Sequence, residues 1–398
     1  MIETRFNRNI SLYVFIAAIA SFLISLFLFQ LIAAVLIILW LVEKSKSKSA
    51  AYDNISRLFL IFIVVRVFSV IFSEFFNSSV HLFYKDAIFF LSFFAMSFYL
   101  KLFDEKKKKI IAFAFVIAAM VVAVVGLVKF NLGLVHRAES FSSGYMVYST
   151  YLLAALGPGI LLYNFISEKK YVIAWIVGTG LVIAGIIASL GRTNIALAVV
   201  VFIVSLLLLK INKWLSIVTV LLTAVIVIIS FQANSQELNN RLGQPAVMSD
   251  RDIIWGNAKE IIIDFEHPLL GYGPRTFGDI FTNREMLQDK GVNSWHNDYI
   301  QLFLETGLLG LLGYLALVLY SLFVSIKYLF KKKTSLFEKT LLTGSTISVT
   351  ALLLSGITSG FINSPVIPVV LAFFLAIISA IVYPTERVSD KLIAKEER

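Results

Sequence analysis

The feature that most constrains this chain is a succession of long apolar runs separated by short, mostly basic connectors. A helix needs about 17–25 predominantly apolar residues to cross the hydrocarbon core of a bilayer. Runs near 10–26, 28–43, 58–75, 83–102, 110–129, 146–167, 171–190, 193–210, 214–232, 298–326, 340–360 and 366–384 meet or approach that length. Composition agrees: 59% of the residues are hydrophobic, against about 45–50% in soluble domains. The pattern predicts an all-α polytopic membrane protein of about twelve transmembrane helices. Helices one to nine occupy 1–232, one large polar loop occupies 233–297, and helices ten to twelve with a tail occupy 298–398. The junction around Gln30 reads as a tight hairpin or one long bent element. Gly191-Arg192-Thr193 reads as a second tight break.

The basic residues set the orientation. With an even number of spans both termini lie on one side. That side would hold Arg5, Arg8, Lys44, Lys46, Lys48, Arg57 and the run Lys106 to Lys109. Lys101, Lys169, Lys170, Lys210, Lys213, Lys327, Lys331 to Lys333, Lys339 and the tail residues Arg387, Lys391, Lys395 and Arg398 fall there too. Cytoplasmic loops carry the excess of Lys and Arg. Both termini are therefore expected in the cytoplasm, with the large loop facing outward. The net charge of +10 is explained by topology and lipid headgroup contact rather than by nucleic acid. No small-residue cleavage site follows the first apolar run, which reads as an uncleaved insertion signal.

Within the loop, Asp252 to Phe265 reads as an amphipathic helix with Ile253, Ile254, Ala258, Ile261 and Ile262 on one face. Such a helix rests on the membrane interface or caps a cavity. His267-Pro268 ends it, and Gly271-Tyr272-Gly273-Pro274 forms a turn.

Several chemistries are excluded or unsupported. There is no cysteine, so disulfides, thiolate metal sites and a cysteine nucleophile are ruled out. No Walker loop points to ATP, and no His-x-x-x-His or clustered-acid metal motif is visible. A reaction without metal or other cofactor is expected, with its energy stored in an activated substrate.

Charges near a bilayer are costly and need a reason. Three on the outward side stand out. His296, where the loop meets span ten, is either a base near neutral pH or a structural histidine at a helix start. Asn297 and Asp298 beside it either cap the span or orient the imidazole. Arg192 and Arg251 can each grip phosphate oxygens in a bidentate fork. The alternatives are headgroup contact, or for Arg251 an ion pair with Asp250 or Asp252. Lys85, His136 and Arg137 lie toward the same face. Arg66 sits mid-span and is expected to pair structurally with Asp86. His81 and His267 have no supporting context. Gly157-Pro158-Gly159 is a hinge or a packing kink.

The stretch beginning at His296-Asn297 and reaching Gly307-Leu-Leu-Gly310 resembles the signature of the bacterial O-antigen ligases, within a superfamily that includes O-antigen polymerases and protein O-oligosaccharyltransferases. Arg192 after an apolar span, Arg251 near the loop helix, and Pro268-Leu-Leu-Gly271-Tyr272-Gly273-Pro274 resemble further family features. The resemblance is close over about 190 to 315 and mainly topological before that. It implies transfer of O-antigen from undecaprenyl diphosphate to lipid A–core oligosaccharide at the periplasmic face of the bacterial inner membrane. His296 would be the general base, Arg192 and Arg251 would hold the diphosphate, and Asn297, Tyr272 and Arg137 would support them. Membrane lipids are the other expected partners. A polymerase is the nearest rival. A transporter using Arg66 and Asp86 is a more distant one, because the candidate groups gather at one face and no inverted repeat is visible.

Overall fold

A computed structural model of the chain describes residues 8–209, 250–282, 292–331 and 334–384, together with Leu221, Val225 and Ile228. The expected span at 214–232 and the first part of the loop, up to 249, lie essentially outside the described residues. Among the described residues the regular structure is helical, with no strand.

The first nine helices are α1 (Arg8–Ser21), α2 (Leu26–Val42), α3 (Ser45–Ala50), α4 (Asn54–Ile71), α5 (Phe76–Leu102), α6 (Glu105–Asn131), α7 (Tyr145–Leu161), α8 (Lys169–Ala188) and α9 (Arg192–Leu209). The loop contributes α10 (Arg251–Ile263) and α11 (Phe277–Ile280). The C-terminal part holds α12 (Asp298–Leu329), α13 (Leu336–Ser355) and α14 (Ile367–Val382). Side-chain caps set several starts: Ser25, Asp53, Asp104, Asn297 and Ser335 each accept from a backbone N–H of the first turn.

Among the described residues, five segments are long and apolar enough to cross a membrane: Asn54–Ile71, Glu105–Asn131, Tyr145–Phe165, Lys169–Ala188 and Asp298–Leu329. Helices α1, α2, α9 and α14 are apolar but shorter. The chain therefore has the character of a polytopic membrane protein. The break between α1 and α2 falls at Phe22 to Ser25, and Gln30 lies within α2, so the expected junction is displaced toward the N-terminus. Helix α14 is buried along its whole length, beside α5. A helix apolar on all sides belongs at the centre of a bundle. Helix α7 packs on α13, where Gly344 stands against Pro158. The Gly157-Pro158-Gly159 stretch is thus a close helix contact.

One irregularity organises the loop. Helix α12 is interrupted at Gly307, whose φ is 63°. The interruption frees backbone groups that must find partners. The irregular segment before α11, residues 268–273, supplies them. Tyr272 N–H donates to the Leu304 carbonyl at 2.9 Å and Gly273 N–H to that of Glu305 at 2.9 Å. In the other direction, Leu308 N–H donates to the Pro268 carbonyl at 2.8 Å. A Cβ on Gly307 would overlap the carbonyl carbon of Leu269, and one on Gly271 would lie 2.5 Å from that of Glu305. Both glycines are required by close approach as well as by positive φ.

Beside this strap the expected Arg66–Asp86 pair forms at 2.5 Å. Asp86 also binds Arg275 at 2.7 Å, and Arg275 reaches the Asn363 carbonyl at 3.0 Å. The strap, α4, α5 and the turn before α14 are therefore locked through one buried carboxylate. Two arginines paired with one buried carboxylate read as structural, which weakens a solute path through them.

The loop has its own small core. Ile254 and Ala258 of α10 are buried with Phe277, Phe281 and Trp295. The apolar face of α10 thus packs on its own loop, while Ile262 and Ile263 stay exposed.

Candidate functional site

Four separate stretches meet at one end of the bundle. The first is the turn between α8 and α9. Leu190 takes φ 55° there, which turns the chain so that Arg192 begins α9. The side chain of Asn194 is buried and fixes this start. It donates to Ser149 Oγ at 2.8 Å and Thr150 Oγ1 at 3.1 Å, and accepts from Ser355 Oγ at 2.7 Å. Arg192 itself is exposed, at a helix N-terminus, where the helix dipole favours an anion.

The second stretch is the start of α10. Asp250 takes φ 63° and delivers Arg251. Arg251 Nη2 donates to the Thr358 carbonyl at 2.9 Å, and Thr358 Oγ1 donates to Thr193 Oγ1 at 2.8 Å. One threonine therefore ties the loop arginine to the first turn of α9. The pKa of Arg251 lies below its ordinary value, through burial first. Tyr145 opposes that shift, and the positive charges of Arg137 and Arg192 add to it. Arg137 and Arg192 are thus near enough to Arg251 for their charges to act on it. Arg137, from the connection between α6 and α7, stacks its guanidinium 4.1 Å from the ring centre of Tyr145.

The third stretch carries His296, itself at φ 49°. Its neighbours are held from both sides. Trp295 N–H donates to Gln301 Oε1 at 3.0 Å, and its carbonyl accepts from Trp255 Nε1 at 2.9 Å. Asn297 Oδ1 accepts from Tyr299 N–H at 2.9 Å and Ile300 N–H at 3.0 Å. Asp298 accepts from Ile362 N–H at 2.8 Å. Asn297 is therefore the cap of α12, and Asp298 anchors that end to the turn before α14. His296 remains half-buried, with its pKa held below the ordinary histidine value by burial and then by Arg251. At neutral pH it is a neutral imidazole able to accept a proton.

The fourth stretch is the small-residue turn between α13 and α14, which supplies Thr358. A Cβ at Gly360 would lie 3.2 Å from the backbone nitrogen of His296, so this turn lies directly against the histidine's main chain.

Among the described residues, four non-glycine positions have positive φ: Leu190, Asp250, Arg275 and His296. Two of them immediately precede or closely approach the site arginines, and a third is the histidine. Such conformations are uncommon for residues with a Cβ, and they concentrate where side chains must be aimed. Arg251 thus stands between two further arginines, Arg137 and Arg192, and a half-buried neutral imidazole; positive charge beside a neutral imidazole is a setting suited to an anionic group next to a hydroxyl.

Tyr272 lies elsewhere. Its ring packs against Phe75, Phe265 and His267, and burial, Glu266 and Glu74 raise its pKa. Its clearest role is in the strap. Next to it Glu74, Glu266 and His267 place ligand-type atoms within 4.8 Å of one another. The sequence shows no such cluster because Glu74 is far from the other two along the chain. Sequence reading also missed Arg275, Tyr145 and Thr358. Arg275 directly follows the glycine turn, which was the only available signal, and nothing in the spacing pairs it with Asp86.

Residues 177–315 match the family model described as O-antigen ligase. The match runs from within α8 to beyond the α12 break and includes Arg192, Arg251, Tyr272 and His296. Over these residues the chain is similar to that family; the match leaves out the first seven helices and the start of the eighth. No curated protein matches the chain.

Proposed function

We propose that this chain transfers a polysaccharide from a lipid-linked diphosphate to a sugar hydroxyl at the outward face of the membrane, as an O-antigen ligase. The observation that carries the reading is Arg251, held through Thr358 to the first turn of α9 and with its charge felt at His296, inside a stretch matching that family. The donor would be O-antigen on undecaprenyl diphosphate and the acceptor lipid A–core oligosaccharide.

His296 takes the proton from the acceptor hydroxyl as its oxygen bonds to the anomeric carbon of the donor. The bond from that carbon to the diphosphate oxygen breaks, and the electron pair leaves with the diphosphate. Arg192 and Arg251 bind those oxygens through forked hydrogen bonds, and their charge offsets what develops on the leaving group. Arg137, stacked on Tyr145, adds a further positive charge. The diphosphate is a good leaving group, so the residues named are sufficient for this scheme. Twelve spans, cytoplasmic termini and the bacterial inner membrane complete the proposal.

Deletion of the gene tests it. Loss of a ligase leaves bare lipid A–core and long polymer accumulated on the carrier. Core bearing single repeats would instead identify a polymerase. Normal glycan on the core would overturn both.

A further inference from the structure

Helix α6 ends six residues before Arg137, so its first turn lies at the opposite end of the bundle. At about 1.5 Å per residue, its 27 residues separate the two ends by about 40 Å. Helix α8 runs the other way, from Lys169 to the turn before Arg192. Between the far ends of α6 and α8 lies a groove of about 880 Å³.

The groove is built before any ligand arrives. Trp175 Nε1 donates to the Gly159 carbonyl at 2.7 Å, and its ring lies 5.0 Å from that of Phe113. Phe165 and Ile117 extend the apolar wall. The groove adjoins helix faces that expose apolar side chains, with Val121 and Val128 on α6 and Ile173 on α8. Such faces belong in hydrocarbon.

One end of the groove is cationic. Lys106 and Lys109 line it, and Lys109 Nζ lies 5.4 Å from the Phe165 ring centre and 5.9 Å from that of Phe113. Glu168 also lines the groove but pairs with Lys170 at 3.1 Å; of the acids nearby, Glu338 pairs with Lys108 at 3.3 Å and Asp104 caps α6. Glu105 in the first turn of α6 is the remaining carboxylate. The balance at the mouth favours an anion.

We infer that this groove binds an anionic diacyl phospholipid, with an acyl chain along Phe113, Ile117 and Trp175 and the phosphate at Lys106 and Lys109. An apolar wall without charge would accept any lipid, and charge without the wall would attract any anion. The two together select a phosphate carrying a long chain. This site is separate from the arginine cluster and does not depend on the proposed reaction.

Native mass spectrometry of the purified full chain, with phosphatidylglycerol or phosphatidylcholine added, tests the inference. Phosphatidylglycerol should be retained more strongly. A lysine near a membrane surface contributes about fivefold to anion binding, so Lys106→Gln with Lys109→Gln should lower its retention by about 25-fold. Phosphatidylcholine should change little. Ala114→Trp, which fills the groove, should weaken both lipids. A diazirine-tailed phosphatidylglycerol should label 106–120 and 165–175. Unchanged preference in the double lysine variant overturns the site, as does labelling confined to other helices. Displacement by an isoprenyl phosphate at equal concentration would overturn the choice of a diacyl lipid.

Discussion

Arg251 donates from Nη2 to the carbonyl oxygen of Thr358 at 2.9 Å, which fastens the loop helix to the turn between the last two helices. This contact places a loop residue beside α9 and His296, although the three are far apart along the chain. It also uses only part of the guanidinium fork. Arg251→Lys should keep the charge but lose the fork. A charge-assisted hydrogen bond is worth about 1.5–3 kcal/mol, so transfer should fall by about 10- to 150-fold. Quantifying glycan on the core in a complemented deletion strain checks this, and full activity would assign Arg251 a structural role.

His296→Ala should abolish transfer while the protein remains in the membrane at its normal level. Immunoblotting of membranes beside a glycan gel separates the two effects. An active variant would refute the base assignment.

The pH profile follows from the direction of the histidine shift. Burial and then Arg251 hold His296 below the ordinary value, which is near 6.5. The neutral, competent form therefore persists as pH falls below that value, and activity declines only at lower pH. Removing the charge in Arg251→Gln should raise the pKa and move the acid limb of the residual rate to higher pH. A limb that does not move would argue that another group titrates.

Asn297 acts through backbone geometry. Its Oδ1 accepts from two N–H groups of α12, so Asn297→Ala should cost about 1 kcal/mol of stability. Asn297→Asp or Asn297→Ser should restore most of it. Thermal unfolding in detergent reads this, and activity should follow stability. If Asp restored stability but not transfer, Asn297 would have a direct role at the histidine.

Asp86 holds two arginines in a buried setting. Removing one partner of a buried ion pair typically costs about 3–5 kcal/mol. Asp86→Asn should lower the unfolding temperature sharply and loosen the strap, with increased proteolysis between 264 and 282. An unchanged melting profile would exclude the network as the anchor of that segment.

Much of the helical pattern was legible because hydrophobic length and charge placement act locally. The apolar runs anticipated the helices, and Asp252 to Phe265 anticipated α10 closely. The Arg66–Asp86 pair was legible because only an opposite charge makes a mid-span arginine affordable. The residues matching the family motif pointed to His296, Arg192 and Arg251. The surroundings of these residues were less accessible. Tyr272 looked like a site residue because it sits in the glycine turn, yet its ring packs away from the arginine cluster. The amphipathic face of α10 looked ready for a membrane or cavity, yet it packs on Trp295 and Phe277.

By itself the sequence determined that the chain must form apolar helices, and where costly charges interrupt them. Both follow from transfer free energies summed along a local stretch. Only the tertiary structure decided that the carbonyls freed at Gly307 are satisfied by the 268–273 strap. It also decided that Thr358 joins Arg251 to Thr193, and that Asp86 serves two arginines. These outcomes depend on which unsatisfied polar groups come within hydrogen-bond reach after packing, and no linear spacing encodes that.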